Sequence, residues 1–376
     1  MNCEFKIKTA ILKNITQLLA KLLPDSEVYI LFEVAAGMLS VKAGCMGCWL
    51  EQRVSVDSVV DGSCVFSLDA LVKIKFPGAE THFKSEEKAI KFRSGRFRGV
   101  ISAIGTKEKV LINAPKKIVE TTHKFKHTSL VSGLKLLAFE PISASTKKKQ
   151  TIKIVVRKGK VLLSAQDDYR GALYVIEEGA VGSDIELVIE YGPLQSIMSL
   201  FPSGTEYVSV GTTDRFIRLQ GCNMEYQCPF RSGTVLDVEK MLYNYINQKE
   251  PKHSFCLDAK TFKGALATVC GAASLSGKDV EVKLGVKAIK GIAEKGKPVE
   301  DTVELFSSTN IAKTLYQMSA YNVTGEVIVH TSDKMIKDLL LMNGLLQFNL
   351  YEKVIVLESL DCNFKAVIPQ LPGKAK

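Results

Sequence analysis

Apolar and polar residues alternate from the start of the chain. Phe5-Lys6-Ile7-Lys8-Thr9 has the period of two of a half-buried strand, and Ile11, Ile15, Leu18, Leu19 and Leu22 then recur at helical spacing up to Pro24. Strands are expected at 28–35, 38–43 and 49–56, with Gly37 and Gly44 as turn signals between them. The unit so written is β-α-β-β-β. It restarts with a strand at 63–67, a short helix at 68–76 closed by Pro77-Gly78, and strands at 81–85, 88–93 and 97–103.

The same order returns four more times. A polar stretch at 105–126, with Pro115 and several lysines, reads as a connector. A helix at 129–139 and strands at 151–156, 160–165 and 172–177 follow. The fourth unit has a strand at 185–189, a helix at 192–200 and strands at 207–211, 216–220 and 225–229. Residues 231–252 form a second connector with helical character over 235–246. The fifth unit is a strand at 254–257, a helix at 260–272 and strands near 280–284, 288–293 and 302–306. Residues 307–322 depart from the pattern and read as an inserted helix. The sixth is a strand at 326–330, a helix at 333–342 and strands at 346–350, 354–358 and 363–368. Taken in pairs, the six units predict an α+β chain of three domains, at 1–118, 119–248 and 249–376.

Composition agrees with a packed protein of that size. The 376 residues are 46% hydrophobic and 24% charged, which excludes disorder and fibre. No apolar run approaches the roughly 20 residues that span a bilayer, and the N-terminus lacks an apolar leader, so no membrane contact and a cytoplasmic location are expected. Nine scattered cysteines suit reduced core thiols better than a disulfide framework. Cys45-Met46-Gly47-Cys48 is at most half a zinc site, since Cys222 and Cys228 are too far apart for a clean second half and no histidine adjoins them. The net charge of +10 favours a polyanionic partner and also aids solubility. It is uneven: the nets of residues 1–126, 127–250 and 251–376 are +7, 0 and +3.

Catalytic signatures are absent. There is no phosphate-binding Gly-x-x-x-x-Gly-Lys-Ser/Thr, dinucleotide Gly-x-Gly-x-x-Gly after a strand, His-Glu-x-x-His or Gly-x-Ser-x-Gly, and the five histidines form no constellation. Asp167-Asp168 is a carboxylate pair, but adjacent strand residues point to opposite faces, which opposes joint metal ligation. No enzyme, metal or cofactor is expected.

Paired β-α-β-β-β units of about 120 residues per domain resemble the bacterial DNA polymerase III β subunit, the ring-shaped sliding clamp. Phe92-Arg93-Ser94-Gly95-Arg96-Phe97-Arg98 is similar to the Ser-Gly-Arg turn that ends the first domain of such clamps. Ala165-Gln166-Asp167-Asp168-Tyr169-Arg170 stands where they carry Ala-Thr-Asp-Gly-His-Arg, and Val367-Ile368-Pro369-Gln370-Leu371 resembles their closing tail. The Phe-Pro-Asp-Tyr type segment after each of their first two domains is missing, and their usual acidity is reversed, which suggests a diverged form carried by a phage or plasmid.

The resemblance implies helices lining a central channel and sheets outside. Double-stranded DNA, a DNA polymerase, a clamp-loader ATPase and a second copy of the chain are the implied partners. It places Lys13, Lys21, Lys73, Lys75, Lys135, Lys260, Lys263, Lys334 and Lys337 on channel helices and Lys147, Lys148 and Lys149 in a DNA-touching loop. A lysine on the polar face of an amphipathic helix is equally ordinary surface, so only the set argues for DNA. A partner peptide would enter a pocket built from Tyr169, Arg170, Val367, Ile368, Pro369 and Leu371. The alternatives are a clamp-fold platform acting as a monomer in viral replication or transcription control, and a nuclease with a cryptic carboxylate site.

Overall fold

The computed structural model describes residues 3–23, 27–45, 47–87, 89–103, 106–115, 122–137, 151–167, 170–177, 180–190, 194, 198, 201, 204–212, 216–229, 237–246, 249–273, 282–291, 300–308, 313–336 and 342–371, without the side chains of 190, 273 and 283. Strand β1 (Glu4–Lys8) leads into helix α1 (Thr9–Leu22), followed by β2 (Tyr29–Ala35), β3 (Met38–Cys45) and β4 (Cys48–Ser55). A short β5 (Asp57–Val60) precedes β6 (Gly62–Ser67), α2 (Leu68–Lys73), β7 (Glu80–Ser85), β8 (Ala89–Ser94) and β9 (Phe97–Ser102). Helix α3 (Lys107–Leu111), β10 (His123–Lys126) and α4 (His127–Leu136) come next. Then follow β11 (Thr151–Arg157), β12 (Lys160–Gln166), β13 (Gly171–Ile176), β14 (Ala180–Val181) and β15 (Ile185–Glu190).

The fourth unit ends with β16 (Tyr207–Thr212), β17 (Phe216–Gly221) and β18 (Met224–Pro229), before helix α5 (Val238–Ile246). The fifth has β19 (His253–Asp258), α6 (Ala259–Ala273), β20 (Lys283–Ile289), β21 (Asp301–Ser308) and β22 (Lys313–Ala320). The sixth has β23 (Val327–Ser332), α7 (Asp333–Ile336), β24 (Leu345–Leu350), β25 (Val354–Ser359) and β26 (Phe364–Pro369).

By contacts the chain forms two compact units, and the division runs through the expected second domain. One comprises Met1–Val131, Gly179–Ser183 and Gly192–Ser232, the other Ser132–Glu178, Asp184–Tyr191 and Gly233–Lys376. In the first, five strands lie in the order β5-β1-β7-β8-β9 and nine in the order β14-β10-β16-β17-β18-β4-β3-β2-β6. In the second, eight lie in the order β15-β11-β12-β13-β26-β25-β24-β19 and four in the order β22-β21-β20-β23. Every pairing is antiparallel. The larger sheets arise because β4 pairs with β18, Leu50 opposite Tyr226, and β13 pairs with β26, Gly171 opposite Val367.

The helices form for the reason the periodicity suggests. Leu12, Ile15, Leu18, Leu19 and Leu22 lie on one face of α1, and all are buried. They share the interior with an aromatic cluster in which Phe5 and Phe83 of one sheet meet Phe32 and Phe66 of the other, with ring centroids 4.6–6.4 Å apart.

Several expectations are corrected. Helix α2 stops at Lys73, since Ile74 is extended, so Lys75 is not helical. The first connector contains a packed helix, whereas the helix of the second connector bears out the helical character expected over 235–246. Val110 of α3 packs against Leu31, Trp49 and Val65, while Val238 and Leu242 of α5 pack against Leu173, Tyr351, Val356 and Val367. The first connector also contains β10, which opens the third unit. Residues 313–320 are a strand, not an inserted helix: as an edge strand β22 exposes Leu315 and Tyr316, which blurs its alternation. One strand, β20, occupies the place of the two expected at 280–293. The helix expected at 192–200 lies largely outside the described residues, as does the second half of the one expected at 333–342.

Candidate nucleic-acid and partner interfaces

Lys13 and Lys21 stand exposed on α1, opposite its buried face. Lys73, also exposed, reaches back one turn to Asp69 at 2.7 Å, and Lys75 is exposed on the extended segment beyond the helix. Lys135 on α4, Lys260 on α6 and Lys334 on α7 are exposed. Lys263 differs, because its Nζ donates a 2.6 Å hydrogen bond to the Met342 carbonyl, so it ties α6 to the segment before β24. Lys147, Lys148, Lys149 and Lys337 lie outside the described residues.

The start of α6 shows how sequence sets this presentation. Asp258 precedes the helix and accepts hydrogen bonds from the Thr261 backbone N–H at 2.8 Å and its hydroxyl at 2.7 Å, an N-cap on otherwise orphaned donors. The Thr261 bonds hold its carboxyl below the ordinary value of 3.8. Lys260 therefore projects from a fixed first turn.

The second candidate group centres on Arg170, whose side chain is fully buried. Its Nε donates to Asp167 Oδ2 at 2.9 Å, and its backbone N–H donates to Asp167 Oδ1 at the same distance. Nη1 donates to the Lys334 carbonyl at 2.7 Å and reaches that of Met335 at 3.4 Å. The guanidinium thus pins the turn between β12 and β13 to the backbone of α7. Asp167 is occupied by this bond, and among the described residues no group of three His, Cys, Asp or Glu side chains could hold a metal ion. The Asp-x-x-Arg spacing, which suits a turn closed by its own ion pair, was the available signal for Asp167.

Ile368 and Val367 are adjacent on β26 and point to opposite faces. Val367 lies in the cluster beneath α5, opposite Gly171, where a Cβ would come within 3.0 Å of the Met241 Cε and 3.2 Å of Val238. Glycine there lets the helix approach the sheet. Ile368 is fully buried on the other side, whereas Pro369 and Leu371 are half-buried. The Leu371 N–H donates to the His330 carbonyl at 2.9 Å, and Gln370 Nε2 donates to the Tyr351 carbonyl at 2.6 Å, so the tail is held against β23 and the turn between β24 and β25. Tyr169 lies outside the described residues.

This element order, with its paired antiparallel sheets, is shared with solved structures along nearly the whole chain. The DNA polymerase sliding clamp from Bacillus subtilis matches with a TM-score of 0.79 and 15% identity, over 99% of this chain and 100% of that one. The chain has the sliding-clamp fold. A putative DNA polymerase III beta subunit from Eubacterium rectale matches at 0.79 and 13%, and the beta subunit from Thermotoga maritima at 0.78 and 15%, with the same coverage. No protein-family profile and no curated protein sequence matches. The clamp fold is thus kept here on a sequence that shares about one residue in seven with its solved structural neighbours. Among the described residues, no helix is long and apolar enough to cross a membrane.

Proposed function

We propose that this chain is a DNA sliding clamp: a non-enzymatic processivity factor that closes head to tail into a dimeric ring around duplex DNA and tethers a DNA polymerase. The observation that carries the proposal is the rule by which its six units join. The last strand of the first unit, β4, pairs with the last strand of the fourth, β18. The last of the third, β13, pairs with the last of the sixth, β26. Each junction therefore joins a unit to the third one after it.

Two last strands remain as sheet edges among the described residues, β22 of the fifth unit and β9 of the second. The next term of the rule joins unit five to unit two of another copy, a heterologous contact that makes a ring when it closes. Both edges expose large apolar residues, Phe97 and Val100 on β9 and Leu315 and Tyr316 on β22. Three domains per chain make a six-domain ring from two chains.

In that ring Lys13, Lys21, Lys73, Lys75, Lys135, Lys260 and Lys334 supply attraction to phosphates without reading bases. Arg170 and Ile368 support a partner-peptide site of which Pro369 and Leu371 are the accessible members. A clamp-loader ATPase opens the ring. Light scattering across a concentration series tests the assembly: the expected mass is twice 41.3 kDa, falling to one chain in the Leu315→Glu, Tyr316→Glu variant. A wild-type monomer at all concentrations overturns the reading.

A further inference from the structure

Two cysteines meet across the interior of the first compact unit. Cys3 immediately precedes β1 of the five-stranded sheet, and Cys64 lies on β6 at the edge of the nine-stranded sheet. Both are buried free thiols, and their sulfurs share a hydrogen bond at 3.4 Å.

Backbone pairing and packing set this approach. The Cys3 N–H donates to Ser85 Oγ at 2.8 Å, and the Cys3 carbonyl accepts from the Ser85 N–H at 2.9 Å. Cys64 lies opposite Phe32 of β2. Phe5, two residues after Cys3 and on the same face, packs its ring against that of Phe32 with centroids 6.0 Å apart. Each cysteine is thus held by its own sheet, and the packing of the sheets brings the sulfurs together. A disulfide has its sulfurs about 2.05 Å apart, so closing the bond takes a movement of about 1.4 Å.

The two sulfurs are chemically unequal. The hydrogen bond with Cys64 brings the Cys3 thiol down to about 7, against burial, while the same bond and burial push Cys64 up. The thiolate is the nucleophile in thiol oxidation, so Cys3 reacts first and Cys64 resolves.

We propose that Cys3 and Cys64 close into a reversible disulfide when a hydroperoxide oxidises them, a redox-controlled staple between the five-stranded and the nine-stranded sheet. The Cys3 sulfur attacks one peroxide oxygen: an S–O bond forms, the O–O bond breaks and hydroxide leaves. The Cys64 sulfur then attacks the Cys3 sulfur of the sulfenic acid. The S–S bond forms, the S–O bond breaks, and the water released carries away the Cys64 proton. The cysteines lose two electrons and the peroxide is reduced to water. A dithiol reverses the step by exchange. Cys3 lies at a strand end, where local opening admits a molecule as small as hydrogen peroxide. The link spans 61 residues of sequence, so it acts mainly by restricting the unfolded chain.

The test exposes the folded full chain to hydrogen peroxide, blocks the remaining thiols with N-ethylmaleimide and maps linked peptides by mass spectrometry without reduction. A peptide joining Cys3 to Cys64 is expected, and the oxidised chain is expected to melt about 5 °C or more above the reduced one. Dithiothreitol is expected to remove both the link and the shift. Cys3→Ser and Cys64→Ser are each expected to abolish them, and Cys45→Ser, Cys48→Ser to retain them. Comparing oxidised with reduced wild type needs no substitution, so the result stands even where a variant fails to fold. Absence of the joined peptide, a link that forms only in urea, or linked chains that melt no higher than reduced ones overturns the proposal.

Discussion

Removing the Arg170 guanidinium would strand the Asp167 carboxylate, whose side chain is only 2% exposed. Arg170→Ala is expected to cost about 3–5 kcal/mol, measured by urea denaturation, because an uncompensated buried charge remains. Cys3 and Cys64 form another buried pair, with their sulfurs 3.4 Å apart. The Cys64 hydrogen bond brings the Cys3 thiol down to about 7 from 9.0, against the opposing effect of burial, while the same bond and burial push Cys64 well above 9.0. Between pH 7 and 9 the folded chain therefore carries a Cys3 thiolate where the unfolded chain carries a thiol. The contribution of Cys3 is present above pH 9, declines as pH falls, and is lost below 7; that of Cys64 is lost above 9. The melting temperature of the wild type is expected to rise from pH 7 to 9 relative to Cys3→Ser. The thiols were readable as core residues from their apolar surroundings, but their pairing was not, because 61 residues separate them.

At the scale of elements, strongly periodic segments read true. α1 is where its Leu and Ile spacing placed it and α6 matches the helix expected at 260–272, since a helix that buries one stripe must show that stripe in the sequence. The Asp258 cap was equally local, and Asp258→Ala is expected to cost about 1 kcal/mol by urea denaturation. Because its carboxyl is held below 3.8, the cap contributes fully above that pH and weakens as pH falls further. β22 is a strand where a helix is expected, and β10 lies inside an expected connector, for different reasons. β22 is an edge strand whose exposed Leu315 and Tyr316 break the alternation although its partner β21 precedes it directly, whereas β10 alternates over only four residues and takes its hydrogen bonds from β14 and β16, distant in sequence. Helix α3 is only five residues long and holds its place through Val110 over Trp49 and the ion pairing of Lys107 with Glu33. Burial raises the Glu33 carboxyl, but the bonds from Lys107 and Lys42 outweigh it and hold it below the ordinary value.

For the whole molecule, the junction rule gives a topological expectation. If β22 of one copy meets β9 of the next, the protein remains on closed circular duplex DNA in high salt and leaves it once the circle is cut. Gel filtration of the complex before and after a restriction digest checks this, and retention on the linear form would point to direct binding in place of encirclement. The charge map also belongs to this scale. A net of +10 is compatible with a polyanionic partner and equally with mere solubility, yet only strand register shows that Lys6, Arg93 and Arg98 share a row.

The sequence by itself determined the repeat, the α+β class and most strand and helix positions, because each unit must bury its own apolar face and writes that need into its periodicity. It carried the resemblance to sliding clamps as well, through local turns such as 92–98 and 165–170. Only the tertiary structure decided which unit pairs with which, that Val367 and Ile368 serve opposite faces, that Arg170 is a buried tie, and that one sheet face is a cationic row. Those outcomes depend on hydrogen bonds and packing between residues far apart in the chain, and no local pattern records them.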